Sequence, residues 1–334
     1  MKRIFRLLLV IMPAMVIMIS LFIGRYPVSV GEALAVLASQ AGIIEVELPV
    51  NVINVVWNIR LPRAVLGAAV GGSLAVSGAA FQGLFRNPLV SSDILGVSAG
   101  AGFGASLAIV FFQGQPAFIY LFAFGCGIAA VALSYLIGFS YNSTPTIMLV
   151  LGGVIVKAIF SSLVSLLKYL ADPYEQLPSI VFWLMGSLAS ARYEDLLVAA
   201  LPMAAGMAGL FAMRWRLNVL AMGDKEAQAL GINISLTKGL AILCAALATA
   251  AAVCVSGAIG WVGLVIPHIG RMLAGDDNTV LIPVSISLGA TYLVLVDNLA
   301  RTLTGSELPL GILTAIIGAP FFVYLLKKTK GRGW

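Results

Sequence analysis

Residues 62–83 read PRAVLGAAVGGSLAVSGAAFQG, and after Arg63 no charged side chain appears until Arg86. A helix needs about 20 apolar residues to cross a hydrocarbon layer, and this run supplies them. Gly67, Gly71, Gly72 and Gly78 recur along it, and Gly96, Gly100 and Gly104 repeat the pattern in LGVSAGAGFGASLA. Small residues at such spacing let helix backbones approach closely in lipid, where packing rather than hydrophobicity drives association. The competing reading of these glycines is a phosphate loop. It fails because no strand pattern precedes them and no Gly-x-Gly-x-x-Gly stands in the required context.

The rest of the chain has the same character. Of its 334 residues 60% are hydrophobic and only 10% are charged, and the mean hydropathy is +1.04. Soluble domains carry about 25% charged residues. The composition therefore predicts an all-α integral membrane protein. The isoelectric point of 9.3 needs no nucleic acid, because basic residues gathered on inner loops account for it. Cys126, Cys244 and Cys254 lie in apolar runs with neither metal spacing nor a disulfide framework, and are read as small packing residues. The opening MKRIFRLLLVIMPAMVIMISLFIG has the basic start of a signal peptide. Its apolar run is longer than such a core and no small-residue cleavage site follows, so it is read as an uncleaved first helix.

Apolar segments occur at about 4–24, 62–83, 94–112, 117–139, 146–170, 194–213, 237–257, 262–274, 280–300 and 307–326. They predict about ten transmembrane helices in a single domain, 1–334. The eighth is short and opens on GAIGWVGLVIP, where Gly257, Gly260, Gly263 and Pro267 favour a broken or re-entrant helix. Ten crossings leave both termini on one face. With the termini inside, thirteen of the twenty Lys and Arg fall on the inner face, six on the outer, and Lys157 within a span. That bias supports cytoplasmic N- and C-termini. It also makes residues 214–236 the longest inner loop.

That loop carries LAMGDKEAQALGIN (220–233). Gly223 and Gly231 bracket a short segment in which Asp224 is a candidate N-cap and Gly231 suits the position after the last turn. A helix this short is not stable alone in water. Leu220, Met222, Ala227 and Leu230 offer apolar contacts, and Asp224, Lys225 and Glu226 offer polar ones. Two readings stand: a solvated connection, or a docking element for a soluble partner.

Enzymatic machinery is absent from the sequence. It contains no Gly-Lys pair, hence no P-loop. It has one histidine, His268, too little for a zinc or haem site by itself. No Gly-x-Ser-x-Gly elbow appears, and no carboxylate cluster lies within a span. A passage or binding role powered from elsewhere fits better than catalysis, with no metal and no cofactor held by the chain.

The run NIRLPRAVLGAAVGGSLAVSGAAFQGLFRNPLVSSDILGVSAGAG (58–102) resembles the signature of the FecCD family. FWLMGSL (182–188), LAMGDKEAQALGIN, and the stretch from GAIGWVGLVIPHIGRM to ELPLGILTAIIGAPFFVYLL (257–326) are similar to the same family, in order and over nearly the whole chain. The resemblance implies a permease subunit of a type II ABC importer for ferric siderophores, haem or vitamin B12. It implies a second permease subunit, an ABC ATPase dimer that binds ATP and magnesium, and an external substrate-binding protein. It also implies a bacterial or archaeal cytoplasmic membrane. One chain can serve both halves by two-fold symmetry, so a homodimer is the expectation, with a paralogous partner left open.

The resemblance further implies that Met222, Gly223, Asp224, Lys225, Glu226, Ala227, Leu230 and Gly231 form the element that sits in a cleft of the ATPase. It implies that Arg60, Arg63 and Arg301 receive carboxylates of the binding protein. The planar guanidinium fork suits that task, while snorkelling of arginine at a helix end is the bland alternative. Asp297, one turn before Arg301, is placed to orient it. The passage implied by the resemblance runs between two subunits along the second, fifth and tenth helices, where Gly153, Lys157 and Ser161 of the fifth are candidate lining residues. Lys157 has two readings: a cationic ring that meets an anionic cargo, or a lysine that pairs with a carbonyl or an aspartate elsewhere or that snorkels. His268, in LVIPHIGR, is read as structural. The expected cargo is a chelated metal compound, ferric siderophore first, with haem, cobalamin and molybdate open. An ion-driven secondary transporter is the rival from another class, and it lacks the acidic residues within spans that such a mechanism uses.

Overall fold

The protein is described by a computed structural model over residues 3–139 and 145–328. Lys2, Lys330 and Arg332, counted above on the inner face, lie outside the described residues.

Pro62 decides how the second apolar segment is built. Its ring has no N–H to donate and crowds the carbonyl four residues earlier, yet the helix continues through it. After α1 (Arg3–Ser20) and α2 (Val30–Gln40), the chain forms α3 (Val50–Ile53), a π-helical stretch (Asn54–Arg60) and α4 (Leu61–Phe85) as one rod. The wider π turn accommodates the proline, and the Tyr193 hydroxyl donates to the Trp57 carbonyl at 2.8 Å. The expected start near residue 62 therefore moves back to Val50.

The remaining elements are α5 (Val97–Phe111), α6 (Pro116–Gly138), α7 (Thr146–Leu170), α8 (Gln176–Met185), α9 (Tyr193–Ala212), α10 (Arg214–Met222), α11 (Asp224–Ala229), α12 (Ile234–Ser256), α13 (Val262–Ala274), α14 (Asn278–Thr302) and α15 (Leu310–Lys328). Each of the ten apolar segments read from the sequence contains a helix. Six are long and apolar enough to cross a membrane by themselves: the α3–α4 rod, α6, α7, α9, α12 and α14. Shorter apolar stretches lie in α1, α5, α13 and α15. The break before α13 is real. Gly257 and Trp261 adopt φ of 67° and 68°, and the helix that follows has 13 residues, or roughly 20 Å.

Helix α4 is the central post. In its most apolar window 83% of the residues are buried, and α14, α12, α13 and α9 pack around it. Its glycines permit that crowding. A methyl group on Gly71 would stand 2.2 Å from the Gly289 carbonyl oxygen of α14, and one on Gly78 would stand 1.9 Å from that of Gly263 in α13. Nothing larger than hydrogen fits at either crossing, which explains the small-residue spacing of the opening stretch.

Candidate functional site

The α10–α11 loop divides its residues between two duties. Leu220 and Ala227 are fully buried in the main core, while Met222 and Leu230 are 64% and 58% exposed. Lys225 and Glu226 are exposed beside them. Gly223, at φ 139°, turns the chain between the two short helices and is itself the N-cap, so Asp224 is the first helical residue. Its carboxylate instead accepts from the Lys238 ammonium of α12 at 2.8 Å, where the lysine is 1% exposed. Gly231 adopts φ 79° after the last turn, as its position in the sequence suggests. Asn218 of α10 ties the loop to α14: its side-chain amide donates to Asp277 at 2.6 Å, and its oxygen accepts from the Asn278 amide at 2.6 Å. The Asn218 hydrogen bond, then those from Thr279, hold the Asp277 carboxyl below the usual carboxylate range.

At the opposite end of the bundle, near α8, the three expected docking arginines do not present their forks outward. Arg60, Arg63 and Arg301 are all buried. Arg63 grips Asp297 with two nitrogens, Nε and Nη2, at 2.8–3.1 Å. Its Nη1 donates to Glu307 at 3.0 Å. Arg60 donates to the carbonyls of Leu21 at 2.8 Å and Tyr26 at 2.6 Å. Arg301 donates to the carbonyl and hydroxyl of Ser20, both at 2.6 Å, and to Asn298. Asp297 was expected to orient Arg301; its direct partner is Arg63. The cause is topological: α1, α4, α14 and the 303–309 connection converge here, and their polar side chains satisfy one another away from lipid. Glu307 is the one member with sizeable exposure, 33%.

Among the candidate passage residues, Lys157 is 54% exposed and bonds Asp93 at 2.7 Å. Asp93, in the α4–α5 connection, also accepts from the Ser98 amide at 2.7 Å. Ser161 shares the exposed face of α7. Gly153 does not: a methyl group there would stand 2.2 Å from the Ile94 carbonyl oxygen, so Gly153 is a contact for the α4–α5 connection. His268 is buried, and no metal-holding cluster exists among the described residues. Sequence reasoning missed Asp93, Glu307 and Asp195. Asp195 is buried at the start of α9 and accepts from the Tyr120 hydroxyl. Lone acids at helix ends give no periodic signal; only their depth in the bundle marks them.

The family model described as the FecCD transport family matches residues 8–328. The molybdate import system permease of Haemophilus influenzae is 45% identical over 316 residues, 94% of this chain and 93% of that protein. The cobalamin import system permease of Halobacterium salinarum is 43% identical over 283 residues, 83% of this chain and 74% of that protein. Among solved structures, a metal-chelate type ABC transporter in an inward-facing conformation superposes with a TM-score of 0.85 at 42% identity, covering 96% of this chain and 97% of that one. The helices, the family match and these relatives agree: the chain belongs to the FecCD transport family and is a multi-pass membrane permease of an ABC importer.

Proposed function

We propose that the chain is the membrane half of a binding-protein-dependent importer, and that its α10–α11 loop is where a separate ATPase pushes. The observation that carries this reading is the divided loop. One face is anchored in the bundle through Leu220, Ala227 and the Asp224–Lys238 pair, and the other offers Met222, Lys225, Glu226 and Leu230 to solvent. A loop built this way transmits force. Displacement of its outer face would be delivered to α9 and α12, the helices that flank it, and would bias the bundle between two packed states. ATP and magnesium belong to the ATPase. The chain works beside a second permease copy, an identical chain first and a paralogue second, in a bacterial or archaeal cytoplasmic membrane with both termini inside.

The external binding protein docks at the α8 end. Since the guanidinium forks there are engaged, a partner carboxylate reaches Arg63 by displacing Glu307, while Arg60 and Arg301 act as posts. For cargo, a molybdate-type oxyanion now stands ahead of ferric siderophore, haem and cobalamin. The support is the near full-length similarity to the Haemophilus influenzae molybdate permease. The Lys157–Asp93 pair argues against a fixed cationic ring as the selecting device.

Mild-detergent purification of the chain from its native membranes tests the partner reading. A copurifying P-loop protein supports it, and its consistent absence under conditions that preserve complexes overturns it. Uptake of labelled molybdate against labelled ferric siderophore, by the reconstituted complex with its binding protein, tests the cargo. Siderophore uptake without molybdate uptake reverses the ranking.

A further inference from the structure

Two cavities at the α8 end lie apart from the α7 face and from the α10–α11 loop. One, about 710 Å³, is a chamber walled by the turn after α5, by α8 and by the end of α12. Gln113, Glu175 and Ser190 give it polar surface, Tyr120, Phe182 and Trp183 give it aromatic surface, and no Lys or Arg lines it. The other, about 620 Å³, is a slot between α6 and α9 walled by Leu121, Phe124, Val198 and Pro202. Cys254 of α12, buried, forms its floor. Both are of ordinary ligand-pocket size.

The slot lies between the largely exposed apolar faces of α6 and α9. Helices α6 and α9 both pack on α12, and each is only 28% buried in its spanning window. Leu121 and Val198 are 65% and 52% exposed on the slot walls. Pro116, Tyr120 and Cys254 line both cavities, so the slot runs into the chamber. Tyr120 is fixed at the junction by its hydrogen bond to Asp195, whose second oxygen accepts the Arg192 amide at 2.8 Å. Asp195 is thereby used. The other carboxylates are Glu175 in the chamber and Glu194 at the slot, both exposed, and Arg192 is exposed beside them at the start of α9.

We infer that this composite site holds one phospholipid with an ammonium headgroup, one of its two acyl chains in the α6–α9 slot, the other on the exposed apolar faces outside it, and its headgroup in the chamber. An apolar slot open to hydrocarbon admits a chain without exposing either surface to water. Carboxylate and aromatic faces favour an ammonium over a purely anionic headgroup, and Arg192, exposed two residues before Glu194, offers a guanidinium to a lipid phosphate. Amphiphile chemistry matches these surfaces: the slot is apolar apart from Glu194, and the chamber adds aromatic rings and Glu175.

Native mass spectrometry of the full chain, purified with a mixture of phosphatidylethanolamine and phosphatidylglycerol, tests this. One phosphatidylethanolamine per chain should be retained, with a roughly tenfold preference, the size of a single good polar contact. Val198→Trp fills the slot and should abolish retention. Glu175→Gln, at an exposed position, should keep a bound lipid but bring the preference toward parity. Equal retention of phosphatidylglycerol by the unaltered chain overturns the proposal without recourse to any variant. So does unchanged occupancy in Val198→Trp, or a Val198→Trp chain that keeps its lipid but separates from a second copy, which would assign the slot to protein contact.

Discussion

The two ends of the bundle treat charge in opposite ways. At the α8 end Arg60, Arg63, Arg301 and Asp297 are each less than a tenth exposed, and they hold one another and nearby carbonyls. At the α10–α11 end Lys225 and Glu226 stand in solvent beside Met222 and Leu230, and Lys238 is the buried cation. A buried, hydrogen-bonded charge fixes the helices it joins, and separating it from its partner is costly. An exposed charge next to an exposed apolar side chain fixes nothing internally and is available to another protein. The first end is thus a clasp that any docking partner would have to open, and the second an exposed surface open to contact.

The largest effect should come from opening the clasp. Asp297→Ala leaves the buried Arg63 with Glu307 alone, and should cost about 3–5 kcal/mol, the usual penalty for unpairing a buried ion pair. A thermal unfolding assay in detergent reads it directly. Replacing both partners by apolar residues, Arg63→Met with Asp297→Leu, should be milder than Asp297→Ala, because the only charge left without its partner is Glu307, which is 33% exposed to solvent. A double variant worse than the single would show that the pair itself, not the unpaired charge, sets the cost. Charge reversal at Arg63 therefore reports on folding before it reports on docking.

A smaller effect belongs to the Asp224–Lys238 bridge between the loop and α12. The lysine is buried but Asp224 is 39% exposed, so solvent screens the pair. Asp224→Asn should lower stability by about 1–2 kcal/mol, and it should also weaken the response of α12 to loop movement. Loss as large as that of Asp297→Ala would erase the contrast between the ends.

Most of the bundle was legible because apolar run length is a strong signal, and each of the ten runs contains a helix. The gaps have physical causes. Helix α2 was missed although Ser29 and Glu32 form a capping box, with the Ser29 amide donating to Glu32 at 2.8 Å; S-x-x-E was readable, but attention to spans passed over an 11-residue helix. The early start at Val50 was hidden because Pro62 reads as a helix beginning, and only the π turn carries the helix through it. The engagement of the arginines within the fold was hidden for a different reason. Sequence placed Arg60 and Arg63 at a helix start, whereas they lie inside the Val50–Phe85 rod; Arg301 does lie at the end of α14, and Glu307 and Ser20 converge on these side chains through long-range packing that no local pattern records. The loop's mix of apolar and polar residues was legible because they are close neighbours in the chain, but their inward and outward division required the fold, and the cap is Gly223 rather than Asp224.

The contact surface should tolerate change that the clasp does not. Met222→Asp with Leu230→Asp alters two exposed side chains, and unfolding stability should stay within about 0.5 kcal/mol. ATPase recovery on purification should nonetheless fall sharply. Full recovery would mean the loop is a solvated connection, and the comparison between the ends would lose its functional half.

The smallest effect concerns how the contact end is tied to the bundle at low pH. Asp277 caps α14 and holds Asn218 of α10, and its carboxyl is held below the ordinary range first by that Asn218 hydrogen bond and then by Thr279. A depressed folded-state value means the charged form is favoured by folding. The contribution is fully present above the unfolded value of about 3.9 and is lost as pH falls through the lower folded value. Asp277→Asn keeps an acceptor oxygen but removes the charge. The unaltered chain should therefore be the more stable of the two at neutral pH, and the difference in thermal midpoint should close on acidification below about pH 4. All other carboxylates titrate alike in both proteins, so the difference isolates this one. A gap that persists unchanged to the acid end would mean that shape, not charge, makes Asp277 the tether between α10 and α14.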